Sequence, residues 1–445
     1  MLLKVLFGLA AFIWSHGVIA AEANNTIMVK EAASVSEDSL LTLQQALQRV
    51  LQHNPELAVA TREIAAQEGT KLQAGVLKNP ELSVGADSFH SSNPNIEKFT
   101  TFRLSQLIEL GGKRSARVNV ATLGQEQASQ AYAAKRLEMI ARTANAFIDV
   151  LENQKQVSVV ADTLRLTQQA METVKKRVEA GKSPPIEATR AKVAVSAGNI
   201  ELEQAKRNLA AVRTKLALLW GETHPRFDRA AGELESFVEI PDFELLIQQL
   251  EKNPVMLQSD KHIAQSEAKV ELERANKIPD VTIGAGVQRY LGMDETTAVL
   301  DLSIPIPLFN RNQGNELEAL QRLNQARDER LSVALQLRSE FVRNYENLLA
   351  ARNEIEVLRE EVLPGAKNAF EITNRGYQLG KFSFLEMLDA QRTFFQNRTL
   401  YVRALANYQR LINAIEQLVA TPFADLANNT MNKNDATHTQ GVSVP

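Results

Sequence analysis

The feature that most constrains this 445-residue chain is an internal repeat that runs the length of it in one order. Asn54-Pro55-Glu56-Leu57 returns 199 residues later as Asn253-Pro254-Val255-Met256. Asn79-Pro80-Glu81-Leu82-Ser83-Val84-Gly85-Ala86 returns as Ile278-Pro279-Asp280-Val281-Thr282-Ile283-Gly284-Ala285 at the same displacement. Leu104-Ser105 matches Leu302-Ser303 and Lys113 matches Arg311 at 198, and Gly181-Lys182 matches Gly380-Lys381 at 199 again. A register kept across so many segments implies two copies of one folding unit in tandem.

Each copy has the same grammar. An opening helical stretch (Leu43 to Leu77; Phe243 to Lys277) stops at an x-Pro step, which drives the chain into extended backbone. Two stretches with a period of two follow. In the second copy Val281, Ile283, Ala285 and Val287 alternate with small or polar residues, then Leu300, Leu302, Ile304 and Ile306 do so across a connection at Leu291 to Thr296. The first copy is weaker, with Leu82, Val84 and Ala86, then Phe102, Leu104, Gln106 and Ile108, joined by a Ser/Asn/Pro loop at Ser91 to Asn95.

A long helix then runs from Ser115 to Glu179 and from Asn315 to Gln378. Ile140, Ala144, Phe147 and Leu151 step by four, three and four, the spacing of a coiled-coil seam. The first long helix would measure roughly 100 Å, too long for a globular domain. The second contains Pro364, which should kink or break it. A tight turn leads into a shorter returning helix. Ser183 is the expected N-cap of the first, with Pro184 at its first helical position, and Ser383-Phe384-Leu385-Glu386 forms a capping box at the second. Each returning helix is expected to stack end to end with an opening helix beside the long one. The fold class expected is mainly α with a small β part.

Residues 1–20 read as a secretory signal: a basic start at Lys4, an apolar run from Val5 to Trp14, and small residues ending at Ala20. That run is shorter than the roughly 20 residues needed to cross a bilayer. The rest divides into a linker over 21–40, a first repeat over 41–221 with its hairpin at about 80–109, and a connecting segment over 222–241. A second repeat covers 242–420 with its hairpin at about 279–308, and a polar tail, expected to be disordered, covers 421–445. No cysteine is present, so neither a disulfide nor an acylated lipoprotein cysteine holds the chain. Beyond the signal no apolar run is long enough for a membrane helix. Two states remain open: soluble in the periplasm, or inserted as β-structure.

Strands of about ten residues match the length that crosses an outer membrane at a tilt. In hydrocarbon every backbone donor needs a partner, so only a closed barrel is allowed there. Four strands cannot close, whereas three chains would supply about twelve. The other reading of the same pattern is a pair of soluble hairpins capping a helical rod.

The strand–helix plan and the x-Gly-Lys turns resemble TolC-like outer-membrane efflux proteins. The segment from Leu104 to Arg114, with Glu109, Gly111, Gly112, Lys113 and Arg114, is similar to the signature of their heavy-metal branch, the outer-membrane partners of cobalt–zinc–cadmium-type exporters. Leu363-Pro364-Gly365-Ala366 and the string from Gly376 to Arg392 are similar to that family's second hairpin. The resemblance covers Leu41 to Ala420. It implies a homotrimer: a twelve-stranded barrel in outer-membrane lipid, continued through the periplasm by a helical barrel. It also implies an inner-membrane resistance-nodulation-division pump and a periplasmic adaptor docked on the hairpin tips, here Gly181, Lys182, Ser183, Gly380, Lys381, Phe382 and Ser383. Pro184-Pro185 departs from the usual pattern and should stiffen the first tip. Apart from the resemblance, the junction residues can be read as a plain strand–helix joint and the tip glycines as helix C-caps.

No catalytic constellation is legible. His16, His53, His90, His224, His262 and His438 are scattered, Met256 and Met293 are isolated, and no phosphate-binding or nucleophile motif occurs. No cofactor or metal site is expected, because a duct downstream of a selective pump need not bind its cargo. With 50 basic and 53 acidic residues, nothing suggests nucleic-acid binding. Passive conduction of exported cations is the leading function. Export of drugs or proteins, or a soluble periplasmic coiled-coil scaffold, are the competing ones.

Overall fold

The computed structural model describes residues 40–88, 97–292 and 295–426. The signal segment, nearly all of the linker, the Ser91 to Asn95 loop, Met293 and the tail from Asn428 lie outside the described residues. So do His16, His90 and His438.

In chain order, β1 (Leu40–Thr42) leads into α1 (Leu43–His53), α2 (Pro55–Gly75), β2 (Glu81–Asp87), β3 (Phe99–Ile108), α3 (Lys113–Glu179) and α4 (Pro185–Leu218). The second half contains β4 (Arg229–Ala231), α5 (Phe243–Gln249), α6 (Pro254–Ala275), β5 (Val281–Tyr290), β6 (Glu295–Ser303), α7 (Gln313–Val357), α8 (Leu363–Gln378) and α9 (Phe384–Val419). The duplication is thus visible as two sets of helix, hairpin, long helix and returning helix. Between the sets, β1 pairs in parallel with β4, so the linker's last residue is tied to the connecting segment.

The opening helices are each broken where the sequence reading ran them straight through. Proline has no N–H and disfavours helical backbone in the residue before it. Asn54 and Asn253 are accordingly extended (ψ 125° and 133°) and serve as N-caps, with Pro55 and Pro254 in the first turn behind them. Each asparagine also ties two helices together. Its side-chain oxygen accepts from Leu57 N at 3.0 Å, or Val255 N at 2.9 Å. Its side-chain nitrogen donates to the end of the returning helix, Leu219 O at 2.7 Å or Leu418 O at 2.8 Å. This is the end-to-end stack expected from the helix lengths.

The 67-residue α3 is unbroken. In the second copy the long helix is interrupted by a π-helical turn at Leu358–Val362, and Pro364 follows in the first turn of α8. The expected break exists, but it lies on the N-terminal side of the proline, where the ring displaces the preceding carbonyls. The core is divided into three separate clusters rather than gathered into one ball. Phe341, Leu348, Ile355, Leu405, Tyr408, Ile415 and Val419 form its largest cluster. Phe423 and Leu426 are buried in the same cluster, so the packed chain extends past Ala420 and the tail begins later than expected.

The caps also revise the displacement between the copies. The left-handed N-caps of the long helices, Gly112 and Asn312, are 200 residues apart, and the opening N-caps are 199 apart. Glu81 pairs with Ser105 in the first hairpin. Carried forward by 199 and 200, that rung becomes Asp280 opposite Pro305, the register in which Thr282 faces Ser303. The Leu302-Ser303 and Arg311 matches at 198 are therefore two residues out of structural register. Side-chain parity is unchanged, because two residues is one full strand period.

Candidate functional site

Three places hold the chain's distinctive residues: the sheet, the joint below it and the far hairpin tips.

The sheet is antiparallel in the order β2-β3-β5-β6. Register aligns Leu82, Leu104, Ala285 and Leu300 in one row and Val84, Phe102, Val287 and Ala298 in the next. Leu82, Val84, Phe102, Leu104, Ile283, Val287, Leu300 and Leu302 are all exposed. The alternate rows contain Ser83, Thr101, Arg103, Ser105, Thr282, Gln288, Thr297 and Asp301. On that polar side Arg103 Nε reaches Asp301 at 2.9 Å across β5, from the two strands flanking it. The crossing is possible because β5 presents glycine beneath both side chains: a Cβ on Gly284 would lie 2.5 Å from the Asp301 carboxylate, and one on Gly286 would strike the Phe102 carbonyl. The sheet thus has one apolar and one polar face, and its edge strands β2 and β6 each have a neighbour on one side only among the described residues. No helix among the described residues is long and apolar enough to cross a membrane.

At the joint, Gly111 and Gly112 take left-handed backbone (φ 69° and 72°), and a Cβ at Gly111 would sit 2.6 Å from Ile278. The turn brings Lys113 to Asp280 of the other copy, Nζ to Oδ1 at 2.6 Å, and Leu110 N donates to the same oxygen at 3.1 Å. Lys113 is buried. Arg114 Nε donates to Gly75 O at 2.7 Å, and Glu109 takes a two-pronged grip from Arg117 at 2.5 and 2.9 Å. That grip holds the Glu109 carboxyl below its ordinary range. Burial pushes Asp280 up, but its bonds from Lys113 and Leu110 outweigh this and leave it lowered. The expected residues do meet here. Asp280 and Arg117 complete the joint without being singled out from sequence: nothing local marks Asp280 as a partner 167 residues from Lys113, and Arg117, eight residues from Glu109, lies just past the motif.

Both tips end their long helices in the same Schellman motif. Lys182 N donates to Arg177 O and Lys381 N to Gly376 O, both at 2.8 Å, around Gly181 and Gly380 at φ 72° and 76°. Ser383 caps α9 with Glu386 reaching back, as expected. Ser183 does not cap α4. Pro184 occupies that position without a side-chain cap, because the chain enters one residue later and proline offers no N–H for a capping box. Ser183 Oγ and Glu187 are thereby released for contacts between the tips. Arg177 Nε donates to Ser183 Oγ at 3.1 Å, and its Nη1 to the carbonyls of Tyr377 (3.0 Å) and Gln378 (3.2 Å). Tyr377 Oη donates to Glu187 at 3.0 Å, and burial raises its phenol, keeping it a donor. Phe382 lies against Gly376, where a Cβ would collide with its ring. Lys182 and Lys381 are exposed. Tyr377 lies in the Gly376 to Arg392 string and Glu187 repeats as Glu386, but neither their contacts nor Arg177 is marked by local pattern.

A family model described as outer membrane efflux protein matches residues 46–222 and again 245–421. The chain belongs to that family. The cobalt-zinc-cadmium resistance protein CzcC of Cupriavidus metallidurans is 33% identical over 417 residues, covering 93% of this chain and 98% of that protein. The nickel-cobalt-cadmium resistance protein NccC of Alcaligenes xylosoxydans is 25% identical, over 62% of this chain and 63% of that one. Among solved structures, CusC superposes with a TM-score of 0.74 at 17% identity, covering 88% of this chain and 95% of CusC. VceC from Vibrio cholerae superposes at 0.70 and 21%, covering 86% and 96%. Both solved structures share the mainly helical fold with a small sheet.

Proposed function

We propose that this protein is the outer-membrane duct of a tripartite heavy-metal efflux system, passing cations such as cobalt, zinc or cadmium from a pump and adaptor to the exterior. The observation that carries the reading is the CzcC match, which spans nearly the whole of both chains. The two-faced open sheet supports it physically. Four strands with free edges are stable in lipid only once the edges are paired, and three copies supply twelve strands. Conduction is passive: the duct contributes a closed wall and a polar lining, and the energised pump selects the cargo. The tips, Gly181 to Ser183 and Gly380 to Ser383, are the adaptor-facing end, with Lys182 and Lys381 exposed beside the Schellman turns.

The test is deletion of the gene followed by growth on graded zinc, cadmium, cobalt, copper and several drugs. Tolerance of at least one metal should fall and return with the plasmid-borne gene. Lost drug tolerance with unchanged metal tolerance would reverse the cargo assignment. Detergent-requiring trimers in the outer-membrane fraction are expected, whereas a monomer released by osmotic shock would sink the duct itself.

A further inference from the structure

The polar side of the sheet is charged unevenly. Glu81, Ser105, Gly284 and Asp301 share one rung, near the helices, and Asp87, Phe99, Tyr290 and Glu295 share another, six residues farther along β2. Between them, one step above the first, Arg103 shares its rung with Ser83, Gly286 and Val299. Among the described residues of the four strands, Arg103 is the one base on this side, against four carboxylates.

Arg103 reaches Asp301, 2.9 Å away, in a strand that is not its neighbour. The two facing atoms are covered, while 40% and 30% of the side chains stay exposed. An ion pair this open adds little to stability. Glycine inside a strand takes stability away, and the crossing needs it twice, at Gly284 and Gly286. Stability therefore does not account for the arrangement. The repeat does not impose it either: Arg103 corresponds to Ser303, Asp301 to Thr101 and Gly286 to Asp87, so the pair occurs once per chain.

We infer that Arg103 and Asp301 set the charge preference of the duct's lining, Arg103 being the residue that tunes it for cations in transit. This rests on the duct reading above and adds a specificity-determining pair to it. Carboxylates along a pore wall draw cations in and turn anions away, but a passing ion must also leave. Arg103 cancels Asp301 where it stands, so the rung near the helices admits cations without detaining them. Glu81, Asp87 and Glu295 keep the wall acidic as a whole.

The glycines keep that cancellation local. A Cβ on Gly284 would stand 2.5 Å from the Asp301 carboxylate and part it from Arg103, leaving two separate charges on the wall. In the first hairpin the matching Gly85 has open space where its Cβ would be, and no ion pair spans its strand.

The chain has no cysteine, so an introduced thiol reports without background. Ser83→Cys faces Arg103 on the polar side, and Val84→Cys lies on the apolar side. Detergent-purified trimers are reacted with a trimethylammonium and a sulfonate methanethiosulfonate, each rate scaled to that with a free thiol. The ratio of the two rates reads the potential beside the pair. At Ser83→Cys the cationic reagent should react faster. Adding Arg103→Gln should raise the cation-to-anion ratio about three-fold, and adding Asp301→Asn should lower it about as much. Arg103→Gln/Asp301→Asn together should return it to within about two-fold of the parent. Thr101→Cys, next to Arg103 on the same face of β3, takes the reading if Ser83→Cys folds poorly. A ratio that ignores both substitutions, or a double that does not return, would overturn the pair and leave the duct standing. A trimer in which Val84→Cys reacts while Ser83→Cys is closed to both reagents, or a protein that purifies only as a monomer, would overturn the duct and the pair with it.

Discussion

Asn54 joins two helices through opposite ends of one amide: it caps α2 through its oxygen and holds the last turn of α4 through its nitrogen, 2.7 Å from Leu219 O. Asn253 repeats the arrangement on Leu418. An amide is required because aspartate would offer only acceptors. Asn54→Ala should cost about 2 kcal/mol, the sum of a lost cap and a buried carbonyl left unpaired. Asn54→Asp keeps the cap but turns a carboxylate toward that carbonyl, so it should be at least as destabilised in denaturant unfolding. Wild-type stability in Asn54→Asp would show that the tie to Leu219 contributes nothing.

At the joint, Lys113 and Asp280 are paired at 2.6 Å with the lysine buried. Lys113→Met should destabilise by about 1–3 kcal/mol, less than a fully buried broken pair because Asp280 keeps some water contact. Adding Asp280→Asn should recover part of that loss. A double-mutant cycle with strictly additive costs would deny the coupling.

Acid should loosen the same joint. Glu109 and Asp280 both titrate below their ordinary range when folded. Their stabilisation is therefore complete above the unfolded carboxylate range of about 4 and is lost as the pH falls through the lower folded values. Unfolding followed between pH 7 and 3 should show a steeper acid loss in the native chain than in Glu109→Gln/Asp280→Asn. Superimposable profiles would assign the acid sensitivity elsewhere.

The tips should respond locally. Arg177→Met removes the donors that hold Tyr377 O, Gln378 O and Ser183 Oγ. Amide exchange around residues 177–187 and 376–384 should accelerate about ten-fold while the midpoint of global unfolding barely moves, as expected for contacts at the end of a rod. An unchanged exchange pattern would show that the tips are held by the apolar cluster of Val174, Tyr377, Phe384 and Met387 alone.

The sequence by itself determined the duplication, the order of elements, the two-faced strands and the glycine turns at joint and tips. Each of these depends on spacing within a few residues: period two in Val281 to Val287, four–three steps in Ile140 to Leu151, and glycine where φ is positive. Even the helix breaks at Asn54-Pro55 and Asn253-Pro254 were legible, since asparagine before proline is a start signal that the longer periodicity obscured. Tertiary structure alone decided what meets across the copies: Lys113 with Asp280, Arg177 with the end of α8, Arg103 over glycine to Asp301. It also decided the 200-residue step between the second strands, which the Leu302-Ser303 match had set two residues short. Those pairings bring together residues 167 to 201 positions apart. A duplicated sequence repeats what each copy needs for itself, but the contacts between copies are made by residues in which the copies differ, so no local pattern announces them.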